Sequence, residues 1–183
     1  MPASPPPQRP VFLTGMMGSG KSTLAPLLAE AWSAKWVDLD RRIERIFGRT
    51  IPELFAAGEA NFRRCEAAAL QSLLAEPGVR ARTLIVATGG GTVVDPSSRA
   101  LMAEVGAIIH LHVDVEELVA RLCVATDDRP LLSKAPEELR QRLERLLSAR
   151  DGAYACADEV VDGSGSPQDV LRRVVAAQLS SRG

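Results

Sequence analysis

The sequence predicts a three-layer α/β domain, in which helices cover both faces of a parallel sheet of about five strands. Short apolar runs alternate along the chain with longer segments of helical periodicity, and glycine-rich turns end two of these runs. The run over residues 83–87, Thr-Leu-Ile-Val-Ala, is continuous and apolar, as expected of a strand that is buried on both faces of a sheet. At 183 residues, the chain has the length of one such domain.

The elements can be assigned in order from these patterns. Apolar runs predict strands over residues 11–14, 35–37, 83–87, 107–113 and 160–161. Apolar residues at helical spacing, together with start signals such as Ser166-Pro167, predict helices near residues 21–31, 43–47, 51–55, 59–74, 114–123, 136–150 and 166–179. Residues 92–106 are left without an assigned element.

The first ten residues form a proline-rich leader, since five of the ten are proline. Such a composition favours an extended, poorly ordered segment, so one domain is expected over residues 11–183. The leader lacks the pattern of a secretory signal, and no apolar run has the ~18 residues of a membrane span. We therefore expect a cytoplasmic protein with no membrane partner. Three widely spaced cysteines, Cys65, Cys123 and Cys156, predict reduced thiols.

The charge balance argues against a nucleic-acid-binding protein. Lys and Arg together number 22 and Asp and Glu 23, so the formal net charge is −1. A nucleic-acid-binding domain usually carries a clustered basic excess. Aromatic residues make up only 4% of the chain, which leaves few platforms on which bases could stack.

A phosphate-binding loop is predicted between the first strand and the first helix. Residues 15–22, Gly-Met-Met-Gly-Ser-Gly-Lys-Ser, match the pattern G-x-x-x-x-G-K-[ST] at every fixed position. The glycines let successive N–H groups converge on phosphate oxygens, and the helix adds the positive end of its dipole. A chance Lys-Ser after a glycine turn is the alternative, but the strand–loop–helix context argues against it. The candidate nucleotide-binding residues are Gly18, Ser19, Gly20, Lys21, Ser22 and Thr23.

Two acidic residues follow the second predicted strand. Asp38 and Asp40 would lie at the carboxyl edge of the sheet, where ligands bind in open α/β folds. One could orient the hydration shell of Mg²⁺, which the Ser22 hydroxyl would also hold, and the other could accept a proton from a substrate hydroxyl. The alternative is that the two acids cap a helix before Arg41.

Five further segments, in this order and at these intervals, resemble the shikimate kinase family. With the phosphate loop, they are Asp38-Leu-Asp40, Gly58-Glu59-Ala-Asn-Phe62-Arg63-Arg64-Cys-Glu66, Gly89-Gly90-Gly91, Arg129-Pro130-Leu131-Leu132, and Arg150 with Tyr154. The resemblance covers the chain from about Val11 to the last helix. The phosphate loop is shared by many unrelated enzymes, whereas the combination with Phe-Arg-x-x-Glu, triple glycine and Arg-Pro-Leu-Leu is much more specific.

The resemblance implies a P-loop kinase fold with a lid over about residues 124–134 and helical segments that bind the substrate. It implies transfer of a phosphoryl group from ATP to the 3-hydroxyl of shikimate, with Mg²⁺ as cofactor, in aromatic amino-acid biosynthesis. A monomer is expected.

The resemblance also implies roles for individual residues. Lys21, Asp40 and Arg129 would be catalytic, with Asp40 as the candidate base and Arg129 as the lid arginine over the phosphoryl group. Asp38 would bind Mg²⁺ through water. Arg63 and Arg150 would hold the substrate carboxylate, with Glu66 orienting Arg63. Gly89, Gly90 and Gly91 would approach the substrate hydroxyls, and the apolar walls would be Ile51, Phe55, Phe62, Pro130 and Leu131.

Three of the features singled out in the sequence also have an ordinary structural interpretation. Arg63 and Glu66, three residues apart on a helix, match an ordinary solvated surface pair. Triple glycine after a strand matches a flexible turn. His110 and His112 share one face of a strand, where a structural pair is favoured over a metal site.

Several positions depart from the family pattern. Ala25 and Pro26 stand where the family has glycine and a basic residue, and Pro26 predicts a kink because its ring cannot donate to the Ser22 carbonyl. Leu122 replaces a second basic residue, and Gly165 stands where an arginine is common. The acids Asp127 and Asp128 oppose phosphate attraction in the lid, and Gly152 replaces a proline. None of these changes removes a predicted phosphate or carboxylate ligand.

Two other functions fit parts of the sequence. A gluconate kinase would also bind a carboxylate with Arg63 and Arg150, although the Phe62-Arg63 segment and the triple glycine argue against it. A non-catalytic module that binds the same ligands for regulation is the second alternative. The intact set of Lys21, Ser22, Asp38 and Asp40 argues against it.

Overall fold

The computed structural model describes residues 6–124 and 136–177, and these form five strands and eight α-helices. The strands are β1 (Pro10–Thr14), β2 (Lys35–Asp38), β3 (Leu84–Ala87), β4 (Ala107–His112) and β5 (Glu159–Asp162). The helices are α1 (Lys21–Ala31), α2 (Leu39–Phe47), α3 (Ile51–Ala56), α4 (Glu59–Leu74), α5 (Pro96–Val105), α6 (Val115–Val124), α7 (Pro136–Tyr154) and α8 (Pro167–Ala176).

The five strands form one parallel sheet, as the alternation of strands and helices predicts, and the structure gives their order as β2-β3-β1-β4-β5. The central strand β1 pairs with β3 on one side and β4 on the other, so that Val11 lies opposite both Ile85 and Ala107. Because all strands run the same way, the segments that follow β1, β2 and β3 meet at one edge of the sheet. That edge carries the phosphate loop, the two acids and the triple glycine.

Helices cover both faces of the sheet, which confirms the three-layer architecture. Phe12, Val86 and Ile108 point to one face and pack against residues of α2, α3, α4, α5 and α7. Their neighbours Leu13 and Ile109 point to the other face, against α1 and α8. Strand residues alternate between faces, so an all-apolar strand needs a layer on each side.

Helix α5 is the element that the sequence patterns left unassigned. It begins with Asp95 as the N-cap, whose carboxylate accepts a hydrogen bond from Ser98 N at 2.7 Å, followed by Pro96 in the first turn. Only Ser98, Met102 and Val105 are buried in this helix. Its buried residues are therefore too few to give a clear helical periodicity in the sequence. The Asp95-Pro96 pair, which is typical of a helix N-terminus, is the signal that could have identified the helix.

The first described residues belong partly to the sheet. Pro10 is the first residue of β1, and the Pro7 carbonyl accepts a hydrogen bond from the Thr83 hydroxyl at 2.7 Å. The expected ordered domain therefore begins before Val11. Helix α1 continues through Pro26 to Ala31. In the part of the chain that the structure describes, no helix combines the length and apolar character needed to cross a membrane.

Candidate active site

The phosphate loop lies between β1 and α1 and depends on the conformations of its glycines. Gly15, Gly18 and Gly20 have φ angles of 145°, 81° and 93°. A Cβ atom at Gly15 would lie 2.7 Å from the Leu111 carbonyl oxygen, so no larger residue fits there without movement. The loop thus curls tightly over the end of β4 and leads directly into the N-terminus of α1.

Lys21 is held inside this loop by backbone carbonyls. Its Nζ donates to Gly15 O at 2.8 Å and to Met16 O at 2.9 Å, and to Ser19 Oγ at 3.3 Å. The residue is only 8% exposed. These bonds place a positive charge beside the first turn of α1, where the hydroxyl residues Ser22 and Thr23 are exposed. An ammonium at a helix N-terminus suits a polyphosphate.

A cavity of about 450 Å³ opens above the loop. Its volume is within the range of small-molecule and cofactor sites. The predicted nucleotide residues line it, together with residues that sequence reasoning did not assign to the site. The lining consists of Met17–Leu24, Asp40, Thr88, Gly90, Arg121, Leu122, Gly163, Gly165, Pro167 and Val170. Thr88 and Gly163 directly follow β3 and β5, so their position after parallel strands was the signal that could have identified them.

Arg121 connects the phosphate loop to the segment after β5. Its guanidinium donates to Gly18 O at 3.2 Å and to Gly163 O at 2.8 Å. Glu117, one turn earlier on α6, pairs with Arg121 and accepts a hydrogen bond from Gly165 N at 3.1 Å. This pair holds the wall of the cavity on the β5 side of the sheet, whereas Asp40 lies on the β2 side.

The two acids at the junction of β2 and α2 have different positions. Asp38 is the N-cap of α2 and accepts a hydrogen bond from Arg41 N at 3.1 Å, so the capping interpretation is confirmed for this residue. Asp40 lies in the first turn of α2 and lines the cavity. Its Oδ1 would be 2.9 Å from a Cβ atom at Gly89. Asp40 therefore lies between the phosphate loop and the triple glycine.

Arg63 and Glu66 form a partly buried pair on α4. Arg63 Nη1 donates to Glu66 Oε2 at 2.8 Å, as the sequence predicts. The surface-pair interpretation is wrong, because Glu66 is only 2% exposed. The guanidinium also lies over the stacked rings of Phe55 and Phe62, with its carbon 5.9 and 5.3 Å from the ring centres. Arg63 is thus held by a buried carboxylate on one side and by aromatic faces on another.

The triple glycine packs against functional side chains. A Cβ atom at Gly89 would lie 2.6 Å from Glu66 Oε1, and one at Gly91 would lie 2.3 Å from Arg63 Nη1. The family resemblance implies that the triple glycine approaches the substrate hydroxyls. In the structure, side chains at Gly89 and Gly91 would first occupy the space of Glu66 and Arg63, so the protein itself needs glycine at these two positions.

Arg150 approaches the same loop from α7. Its Nη1 donates to Gly90 O at 2.8 Å, and the Tyr154 hydroxyl donates to the same oxygen at 3.3 Å. Two arginines from two helices therefore contact consecutive residues of one glycine loop. Tyr154 also stacks on His110 of β4, with ring centres 4.1 Å apart. This stack packs the C-terminal turn of α7 against the sheet.

His110 is a buried, neutral histidine beneath the site. It is 6% exposed, and no described group hydrogen-bonds its Nδ1. Burial is the main cause that lowers the pKa of His110 from 6.5 to about 4; His112 and Lys21 act in the same direction, and Asp151 opposes them. The residues that the structure describes contain no group of three or more His, Cys, Asp or Glu that could hold a metal ion.

The pKa of His110 predicts acid sensitivity. The unfolded chain binds this proton below pH 6.5, whereas the folded protein binds it only below about pH 4, so the free energy of unfolding falls as the pH drops through that window. By pH 5 the loss is about 2 kcal/mol. Urea unfolding at pH 7 and pH 5 would measure it. His110→Phe, which keeps a ring against Tyr154, should reduce this difference by more than His112→Gln, which removes only one of the lesser causes of the shift. The same difference in His110→Phe as in the wild-type protein would contradict the assignment.

Part of the predicted site lies outside the described residues. This applies to Arg129, to Pro130 and Leu131, to the acids Asp127 and Asp128, and to nearly all of the predicted lid over about 124–134. The structure places the remaining predicted residues around one sheet edge. Arg121, Thr88 and the segment Gly163–Pro167 extend the predicted set.

This arrangement defines a class of protein. The phosphate loop lies at the carboxyl edge of a five-stranded parallel sheet, and Arg63 and Arg150 contact the adjoining glycine loop. This combination is typical of a P-loop kinase that acts on a small anionic molecule. The shikimate kinase family model matches residues 17–179, and the chain belongs to this family.

Known proteins agree with that membership. The shikimate kinase of Chlorobium chlorochromatii is 41% identical over 159 residues, which cover 83% of this chain and 80% of that protein. A shikimate kinase structure from Bacteroides thetaiotaomicron has a TM-score of 0.82 at 29% identity, covering 91% of this chain and 96% of the other. One from Acinetobacter baumannii, in complex with shikimate, has a TM-score of 0.79 at 32% identity, covering 91% and 90%.

A gluconokinase from Sinorhizobium meliloti is also similar in structure. Its TM-score is 0.60 at 18% identity, over 92% of this chain and 90% of that one. This similarity concerns the fold alone. The choice between the two substrates therefore rests on the residues of the site and on the relatives described above.

Proposed function

We propose that this protein transfers the γ-phosphoryl group of ATP to the 3-hydroxyl of shikimate, giving shikimate 3-phosphate and ADP. One observation carries the proposal. Arg63 lies against Gly91, and Arg150 donates to Gly90 O at 2.8 Å, beside a cavity lined by the phosphate loop. Two planar guanidinium groups at one loop suit a planar carboxylate, and the neighbouring phosphate loop suits a nucleoside triphosphate.

Mg²⁺ is the cofactor that we propose for this site. Magnesium in kinases is held by one or two protein oxygens and by substrate phosphates, so a cage of several carboxylates is not required. The exposed Ser22 hydroxyl at the start of α1 fits as a direct ligand, and Asp38 fits as a ligand through water. The bound ion would neutralise charge on the phosphates. A set of hard oxygen donors beside the Lys21 ammonium supports this choice.

The residues would act mainly by positioning and by charge neutralisation. The substrate hydroxyl oxygen forms a bond to the γ-phosphorus as the bond from that phosphorus to the β,γ-bridging oxygen breaks. Lys21 would stabilise the charge that develops on the phosphates, and Asp40 would accept the hydroxyl proton. Arg129 would stabilise the same developing charge. It would do so from a lid over about residues 124–134, and closure of this lid would exclude water.

A coupled ADP-release assay tests the function directly. Mg-ATP is offered with shikimate, with gluconate, or with no acceptor, at equal enzyme concentration. We expect ADP release that depends on shikimate. Release with gluconate alone would assign the gluconate kinase activity instead, and no acceptor-dependent release would favour the binding module.

Arg63→Ala should chiefly impair use of the acceptor. Loss of a guanidinium that clamps a carboxylate removes a charge-assisted interaction, so the KM for shikimate should rise at least ~10-fold. The KM for ATP should change less than about twofold, because Arg63 is not among the residues that line the nucleotide cavity.

The adjacent Arg64 provides a matched control. It is exposed and its Nη2 donates to Asn61 at 3.4 Å on the outer face of α4. Arg64→Ala should leave both KM values near those of the wild-type protein. Equal effects of the two substitutions, or an unchanged shikimate KM in Arg63→Ala, would remove Arg63 from the proposed site.

We also propose that the enzyme is a cytoplasmic monomer whose chain forms a single domain that includes Pro10 of β1. Sedimentation at micromolar concentration should give the mass of one 19.6 kDa chain. A stable dimer would contradict the monomer and would leave the reaction itself untouched.

A further inference from the structure

Glu66 is a buried charge with two distinct partners. Among the described residues it is the one acidic side chain that is buried, at 2% exposure. Burying a carboxylate is unfavourable unless hydrogen bonds satisfy its oxygens. Its Oε2 accepts from Arg63 Nη1 at 2.8 Å, and its Oε1 accepts from the Thr92 hydroxyl at 2.6 Å. The two bonds fix the plane of the carboxylate from opposite ends.

Thr92 is itself held rigidly. It is fully buried and begins a 3₁₀ turn, Thr92–Val94, directly after the triple glycine. Its backbone N–H donates to Gly89 O at 3.2 Å. The next residue, Val93, is 1% exposed in the core beneath α4. The hydroxyl of Thr92 is therefore a fixed point on the glycine loop, aimed at α4.

This fixed point limits the position of Glu66, one of the groups that contact Arg63 together with Glu59 and the Phe55 and Phe62 rings. Glu66 Oε1 is confined further by Gly89, where a Cβ atom would come within 2.6 Å of it. With Oε1 held, Oε2 can face only a narrow set of directions, and Arg63 lies in one of them. The guanidinium is also bounded by Gly91, at 2.3 Å from a Cβ built there. Thr92, Glu66 and Arg63 thus form a chain from the glycine loop to the proposed carboxylate site.

We infer that Thr92 is a positioning residue for acceptor binding, which acts on Arg63 through Glu66. The inference rests on the proposed function. The hydroxyl does not touch the substrate. It keeps the Glu66 carboxylate in the orientation that preorganises the Arg63 guanidinium for the acceptor carboxylate. Binding of the acceptor therefore does not have to order the Arg63 side chain.

The test is Thr92→Val, with Thr92→Ser as the rescue. Valine keeps the shape and removes the hydroxyl, so Oε1 loses a charge-assisted donor. We expect the KM for shikimate to rise about tenfold, with the KM for ATP within twofold of the wild-type value and kcat reduced less than the shikimate kcat/KM. Thr92→Ser should restore the shikimate KM to within about twofold.

A matched control and a double variant separate positioning from a structural role. Thr83→Val removes a comparable hydroxyl, which donates to Pro7 O at 2.7 Å at the opposite end of β3, and should leave the shikimate KM unchanged. Adding Thr92→Val to Arg63→Ala should raise the KM no further if Thr92 acts through Arg63. Should Thr92→Val prove insoluble, Thr92→Ala removes the hydroxyl without placing a methyl group against the carboxylate.

The outcomes distinguish the two proposals. A wild-type protein that releases no ADP with shikimate would contradict the proposed function, and with it this inference. An active wild-type protein, with a shikimate KM unchanged in Thr92→Val, would contradict the role of Thr92 alone. The role of Thr92 would also be contradicted if Thr92→Val and Arg63→Ala had fully additive effects on the shikimate KM. A Thr92→Val protein with a lower melting temperature and both KM values unchanged would likewise leave Thr92 with a structural role alone.

Discussion

Lys21→Ala is expected to lower kcat at least ~10²-fold with shikimate and ATP, the size typical of losing one preorganised charge or donor in a transition state. Lys21 Nζ lies 2.8 Å from Gly15 O and 2.9 Å from Met16 O, so its ammonium is already oriented in the loop before a nucleotide binds. Steady-state kinetics in the ADP-release assay, at saturating concentrations of both substrates, would measure the effect.

Two controls belong with this variant. Lys35→Ala removes the same side chain from an exposed position at the start of the edge strand β2 and should leave kcat near the wild-type value. Thermal unfolding is needed as well, because the hydrogen bonds from Lys21 Nζ to Gly15 O, Met16 O and Ser19 Oγ also hold the loop. Near-normal turnover of a folded Lys21→Ala protein would end the assignment of the phosphate loop.

Gly91→Ala is expected to lower the shikimate kcat/KM about 10²-fold, through a change of one methyl group. The new Cβ would lie 2.3 and 2.5 Å from the Arg63 Nη1 and Nη2 atoms. The guanidinium is the end of a flexible side chain, so it can move away from Gly91. It would then leave its hydrogen bond to the buried Glu66 carboxylate, so the melting temperature should fall as well. The fold should persist while the carboxylate clamp is lost.

The matched control is Gly152→Ala on α7. A Cβ atom there would meet nothing within 4 Å, so this change should be neutral for activity and slightly favourable for the helix. The shikimate kcat/KM and the melting temperature of both variants would be compared. A Gly91→Ala protein with the kinetics of Gly152→Ala would mean that Arg63 tolerates displacement, and the clamp would lose its basis.

The phosphate loop and the sheet could be predicted well because both depend on local signals. Glycines with positive φ angles, a lysine and a serine at set intervals specify the loop, and largely apolar runs specify the inner strands that two helical layers cover. Helix α5 was missed because it buries few residues. The same limit applies to Arg121, whose importance depends on carbonyls of Gly18 and Gly163 from distant segments.

The neighbours of the triple glycine could not be predicted from the local sequence. From the sequence, a glycine run after a strand predicts a turn that leaves room for a substrate. Which atoms occupy the space beside each glycine depends on how α4 and α7 pack against the sheet, and no local pattern contains that information. In the structure, Glu66 lies against Gly89 and Arg63 lies against Gly91. The Gly90 carbonyl accepts hydrogen bonds from Arg150 and Tyr154.

The amino-acid sequence alone was sufficient for the layered parallel architecture, the nucleotide loop and the set of charged residues from which the family resemblance follows. These properties rest on periodicity and on motifs within short segments, where neighbouring residues determine the outcome. Only the tertiary structure decided that Glu66 is buried rather than a surface partner of Arg63, and that Thr92 holds its other oxygen at 2.6 Å. Burial and hydrogen bonding of a side chain depend on segments that are remote in sequence, so they are decided when the helices pack on the sheet.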